Sequence, residues 1–137
     1  MPKLNRVIET CLYVDDIDRA RGFYQRVLGL ALMTGDARFL AFDVGGMSVL
    51  LLFRRGATLQ PVHLSEGTVP PHDGHGPLHI AFAVAADELL EWEKRLEDHG
   101  IAIESEVRWS RGGRSVYFRD PDRHLLELAT PGMWLNY

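Results

Sequence analysis

The chain has 137 residues, 46% hydrophobic and 25% charged, with 13 Gly and 7 Pro, which describes one domain spanning residues 1–137 and long enough to bury a core. Fifteen Lys and Arg against nineteen Asp and Glu leave a net charge of −4, an argument against nucleic-acid binding through a basic face. No apolar run approaches membrane-spanning length, no charged-then-apolar leader opens the sequence, and Cys11 has no second cysteine to pair with, so the expected setting is a reducing cytoplasm without a membrane partner.

In chain order, residues 7–14 alternate and carry enough β-branched and aromatic side chains for a strand. Asp15-Asp16 can cap a helix whose apolar face is Ile17, Ala20, Tyr24, Val27 and Leu28, with Gly29 as its stop. A poorly marked strand near Leu32 precedes a hairpin, Phe39–Val44 into Met47–Phe53 through Gly45-Gly46. Gln60 to Pro77 is a Pro/Gly/His-rich connector, too polar to be buried and long enough for a lid. The pattern then repeats. Residues 78–84 form a strand, and Asp87 caps a helix with Leu89, Trp92 and Leu96 on one face and Gly100 at its end. A short strand from about Ala102 to Val107 leads to a second hairpin, Ser115–Arg119 into Leu125–Ala129 through Asp120-Pro121-Asp122. The opening strands correspond at an offset of 70 residues and the closing hairpins at 76. The fold class is therefore α+β, with two tandem β-α-β-β-β modules at about 5–58 and 78–131 joined by the connector at about 60–77.

Strand parity locates the chemistry. On each of the strands 7–14, 78–84 and 125–129 the bulky apolar residues fall on one face, and the other face carries one ionisable residue among small or apolar ones: Glu9, His79 and Glu127. An isolated buried charge costs several kcal/mol unless compensated. Three such groups converging would need a cation, which is the physical case for one divalent metal ion. Cys11 and Tyr13 share the Glu9 face and are expected to line a substrate cavity. Arg114, next to Arg111-Gly-Gly, could clamp a substrate carboxylate, although the segment reads more simply as a tight turn. His63, His72, Asp73 and His75 in the connector are metal-ligand types without a rigid element around them, and a solvated loop is the simpler expectation.

The segments Glu9 to Leu30, Leu78 to Val84 and Ser115 to Pro131, in this order, resemble the vicinal oxygen chelate superfamily of glyoxalases, bleomycin-resistance proteins, fosfomycin-inactivating enzymes and extradiol dioxygenases. The resemblance implies that the two modules curl into a half-barrel around one central site, commonly in a homodimer. It implies metal ligands at His79 and Glu127, and at Glu9 where the family usually has His. The symmetric fourth position is Leu51, which cannot bind metal and is expected to line the substrate cavity. Two carboxylates and one imidazole favour Fe(II) or Mn(II), with Ni(II) or Zn(II) also open. Tyr117, ten residues before Glu127, matches an active-site tyrosine of extradiol dioxygenases, but two histidines of those enzymes have no counterpart. The expectation is a metal-dependent enzyme acting on a small substrate chelated through adjacent oxygens, with dioxygenation slightly ahead of lyase or transferase chemistry. The alternative is a metal-free, bleomycin-resistance-type protein that sequesters an aromatic ligand, with Trp109, Trp134 and Tyr13 as stacking surfaces and Glu9 as a charge partner.

Overall fold

A computed structural model describes residues Met1–Tyr137, and the chain forms two compact units, Met1–Gly76 and Pro77–Tyr137. In the first, β1 (Glu9–Val14) is followed by α1 (Ile17–Arg26), β2 (Ala31–Gly35), β3 (Phe39–Val44) and β4 (Ser48–Arg54). The sheet order is β1-β4-β3-β2, with β1 parallel to β4 and the others antiparallel. The second unit repeats the pattern with β7 (His79–Ala83), α2 (Leu89–Asp98), β8 (Ser105–Arg108), β9 (Arg114–Arg119) and β10 (Leu125–Ala129), in the order β7-β10-β9-β8. The repeat legible in the sequence is thus a repeat of topology, down to the single parallel pairing in each sheet.

Each sheet buries one face under its helix. In the first unit Leu12, Val14, Leu40, Phe42, Leu50 and Leu52 are buried, as are Ala20, Phe23 and Tyr24 of α1, and the Tyr24 and Phe42 rings stack at 5.9 Å. Asp16 caps α1 as expected, its Oδ1 accepting the Arg19 backbone N–H at 2.9 Å. Gly29 ends the helical run at φ +70°, a conformation that costs glycine nothing. In the second unit Val116, Phe118, Leu126 and Leu128 are buried, with Leu89 and Leu96 of α2. The cap there differs from expectation: Glu88, not Asp87, is the N-cap, and its side chain makes no capping bond. Glu88 has helical backbone angles and its N–H bonds to Ala85 C=O at 3.1 Å. A backbone turn therefore starts this helix, without help from an Asp side chain.

Three further features were poorly marked or unmarked in the sequence. The weak strand near Leu32 exists as β2, with a register irregularity between Leu32 and Thr34 that accounts for its blurred alternation. The connector contains a hairpin, β5 (Val62–Leu64) and β6 (Gly67–Val69), and it packs as part of the first unit. Finally, Arg123 sits at φ +70°, the only non-glycine residue in the left-handed region. No helix is long and apolar enough to cross a membrane.

Candidate metal-binding and substrate-binding faces

The face of each sheet away from its helix carries the residues singled out by parity. In the first unit the strand register aligns three rows across it: Glu9 beside Val49, Cys11 beside Leu51, and Tyr13 beside Phe53. Glu9 is exposed, and Cys11 and Leu51 are half-buried. Burial, reinforced by the Glu9 charge, pushes the Cys11 thiol above its ordinary value, so it stays protonated near neutrality and is a weak nucleophile.

Tyr13 has a different task from the one expected. It is buried, and its hydroxyl lies 2.8 Å from Thr58 Oγ1 and 2.6 Å from His72 Nδ1. The Thr58 hydroxyl donates to the His72 carbonyl. With that proton committed, the three groups are satisfied when Tyr13 donates to Thr58 and His72 Nδ1–H donates to Tyr13. The ring of bonds fastens the connector to β1. Gly74 completes the fastening, since a Cβ there would lie 2.9 Å from the Tyr13 ring carbons. The connector is accordingly a held strap, and His72 is a structural partner of Tyr13. Replacing Tyr13 by Phe should cost about 1–2 kcal/mol, the usual range for a small buried hydrogen-bond network, and should raise amide exchange selectively over 57–76. Urea melts and hydrogen exchange would test this; unchanged exchange in the connector would show that the ring does not hold it.

In the second unit the register sets Tyr117 directly across from Glu127, which lies beside Ala81. His79 Nε2 is 3.2 Å from Glu127 Oε2, and the His79 and Tyr117 rings lie 6.3 Å apart. His79 Nδ1 is 2.8 Å from Leu125 C=O. A carbonyl only accepts, so Nδ1 carries a proton and Nε2 of the neutral ring presents its lone pair to the carboxylate. Two acceptors face each other, and a proton or a cation has to stand between them. The other carboxylate oxygen, Glu127 Oε1, is buried with no hydrogen-bond partner. Such an atom is costly in a native protein, and a bound cation would relieve that cost. An imidazole nitrogen and carboxylate oxygens suit a divalent ion of hard to borderline character, so this pair fits a metal. Burial, then the Glu127 charge and a hydrogen bond to the Glu127 carboxylate, holds the Tyr117 phenol above its usual range, which keeps it a hydrogen-bond donor at neutral pH.

Of the three expected ligands, the second unit brings two together. His79 and Glu127 meet, and Glu9 stands on β1 of the first unit. Arg114 is also corrected. It lies on the helix side of its sheet, in line with buried Val116 and Phe118, and its guanidinium is taken by Glu106 at 2.9 Å and Glu93 at 3.2 Å. It faces away from Glu127 and is not available to clamp a substrate there. The preceding glycines do form the turn into β9, with Gly112 N–H bonded to Trp109 C=O at 3.0 Å. The stacking surfaces of the sequestration alternative fare unevenly. Tyr13 is buried, Trp109 donates its ring N–H to Ser115 Oγ at 2.8 Å, and only Trp134 is freely exposed.

A family model described as the glyoxalase/bleomycin resistance protein/dioxygenase superfamily matches residues 3–128. The chain is 29% identical over 118 residues to the metallothiol transferase FosB of Bacillus licheniformis, covering 85% of this chain and 70% of that one. It is 47% identical over 51 residues to the fosfomycin resistance protein FosX of Listeria innocua, covering 36% and 38% of the two chains. Among solved structures, lactoylglutathione lyase from Agrobacterium tumefaciens superposes with a TM-score of 0.88 at 31% identity, covering 98% of this chain and 99% of that one.

Proposed function

Because the chain belongs to the glyoxalase/bleomycin resistance protein/dioxygenase superfamily, we propose that it is a divalent-metal-dependent enzyme acting on a small substrate held through adjacent oxygens. The observation that carries this reading is the His79–Glu127 pair, with its facing acceptors and the orphaned Glu127 Oε1. His79 and Glu127 would hold the ion, with Glu9 as third ligand. Fe(II) or Mn(II) would suit two carboxylates and one imidazole best, with Ni(II) and Zn(II) next. When bound, such an ion supplies Lewis-acid stabilisation of an oxyanion developing on the substrate.

The remaining work falls to the chain's own side chains. Tyr117 keeps its proton and donates a hydrogen bond to a substrate oxygen. The small Ala81 beside Glu127 leaves room for it, and Cys11 and Leu51 provide apolar wall. Names such as metallothiol transferase and fosfomycin resistance protein among the relatives favour transfer of a thiol to a small oxygen-bearing electrophile. The protonated Cys11 is a poor candidate for that thiol, which would come from a second small molecule. Extradiol dioxygenation is supported by Tyr117 alone.

The acting form in this proposal is a homodimer in which Glu9 of one copy completes the His79–Glu127 pair of another. Leu4, Val7 and Ile8, just before Glu9, are exposed, and a cluster of uncovered apolar side chains favours burial against a partner. Titration of metal-stripped protein with Mn(II), followed by electron paramagnetic resonance, should show about one ion per chain, with binding lost in His79→Ala. No uptake of Mn(II), Fe(II), Ni(II) or Zn(II) would overturn the metal reading.

A further inference from the structure

His124 is completely buried, and nothing in the chemistry above uses it. Its Nδ1 accepts the Leu78 backbone N–H at 2.8 Å. The next residue continues the grip: Leu125 N–H donates to Leu78 C=O at 2.8 Å, and Leu125 C=O accepts His79 Nδ1–H at 2.8 Å. Two successive residues at the start of β10 thus hold two successive residues at the start of β7, and the second of those is His79.

The turn that delivers His124 is itself fixed. Asp120 Oδ1 accepts the backbone N–H of Asp122 at 3.0 Å and of His124 at 2.8 Å. Arg123, immediately before His124, holds the left-handed conformation at φ +70° that a side chain disfavours. A disfavoured backbone state persists only where its surroundings over-determine it, and such states gather at functional sites. The need for a staple is plain from the topology. β7 is an edge strand with one neighbour, and the ends of edge strands fray readily. Fraying at Leu78 would release the half-exposed His79 ring from its place opposite Glu127.

We propose that His124 is a positioning residue for the His79–Glu127 pair: by accepting the Leu78 N–H it fixes the start of β7, so that Leu125 C=O can hold the His79 ring with Nε2 toward Glu127. The effect on metal affinity rests on the metal reading above. The effect on the His79 ring does not, because these hydrogen bonds exist within the metal-free chain.

The test compares His124→Asn with His124→Gln. The Asn Oδ1 sits at the same remove from the backbone as the histidine Nδ1 and can accept from Leu78, whereas the Gln acceptor lies one bond farther out. In metal-free protein, nitrogen NMR reads the His79 tautomer and hydrogen exchange reads the Leu78 amide. With metal, the probe is Mn(II) affinity by electron paramagnetic resonance. His124→Gln should speed exchange at Leu78, mix the His79 tautomers and weaken Mn(II) binding about 10- to 100-fold, the usual effect of losing a group that orients a ligand. His124→Asn should keep the tautomer and stay within about threefold of the parent. A folded His124→Gln variant with the parent tautomer and Mn(II) affinity overturns the proposal. If that variant does not fold, His124→Asn decides alone: retention of tautomer and affinity supports the role, and their loss in a folded protein refutes it. Should the parent chain take up no Mn(II), the metal reading fails while the tautomer and exchange measurements still decide this one.

Discussion

Replacing Glu127 by Gln is expected to weaken Mn(II) binding by at least about 100-fold while leaving the metal-free protein as stable as the parent or more so. The two halves of this expectation come from the same carboxylate. Glu127 is 3% exposed, its Oε2 lies 3.2 Å from His79 Nε2, and its Oε1 has no partner. With the His79 ring neutral and no cation bound, this is a poorly satisfied buried charge, which the fold would tolerate at a cost of several kcal/mol. A neutral amide of nearly the same shape relieves that cost and can donate a proton toward His79 Nε2. A structural ion pair would behave in the opposite way, because removing the carboxylate would take away the partner of His79 and destabilise the chain. Melting the metal-free parent and variant, with and without Mn(II), separates the cases. The parent should gain stability from the ion in proportion to its concentration over Kd, and the variant should gain almost none. A variant that melts well below the parent and still binds Mn(II) normally would return Glu127 to a purely structural role. Activity should follow affinity, and a Glu127→Gln protein with full turnover would remove the metal from the proposed chemistry altogether.

Which parts of this picture the sequence disclosed follows from the range over which each signal acts. Strand parity is local, so alternation alone put Glu9 with Cys11 on one face of β1 and set His79 and Glu127 opposite the bulky apolar residues of their strands, while Leu51 and Tyr117 came from the family resemblance; the register sets Cys11 beside Leu51 and Tyr117 across from Glu127. The helix ends at Gly29 and Gly100 and the Asp16 cap are likewise encoded within a turn of the chain. Tyr13 failed as an expected cavity residue because its environment comes from Thr58 and His72, 45 and 59 positions away, and no periodicity reports such a contact. Arg114 failed differently. Its parity with Val116 and Phe118 was available and already put it on the helix side, but the adjacent glycines drew attention to an anion clamp. His124 was hidden by the opposite bias: it shares parity with Leu126 and Leu128, so it reads as core, and only the bond to Leu78 shows that this core residue reaches the strand that carries His79.

Glu9 lies in the first unit and His79 and Glu127 in the second, and this division leads to the second large effect. If Glu9 acts across a homodimer, two defective chains will repair each other. A Glu9→Ala chain keeps its own His79 and Glu127, and a His79→Ala chain keeps its own Glu9, yet neither homodimer has an intact site. In a mixed dimer, one site draws Glu9 from the His79→Ala chain and His79 with Glu127 from the Glu9→Ala chain, so it is whole. The other site carries both lesions. Refolding the two variants together at equal concentration makes about half of the dimers mixed, so about one quarter of the parental Mn(II) sites, and about one quarter of the parental activity, should return. If Glu9 instead serves its own chain, every site in every dimer carries one lesion and nothing returns. The control is a mixture of His79→Ala with Glu127→Gln, whose lesions fall in the same half-site. That mixture should stay inactive in either arrangement, because each His79–Glu127 pair comes from a single chain. Recovery in the control would mean that the His79–Glu127 pair is itself assembled between chains, contrary to the 3.2 Å contact within one unit. Absence of recovery in the test mixture, with mixed dimers verified by mass, would remove Glu9 as a ligand supplied by a second copy and leave the His79–Glu127 pair to complete its coordination with substrate and water.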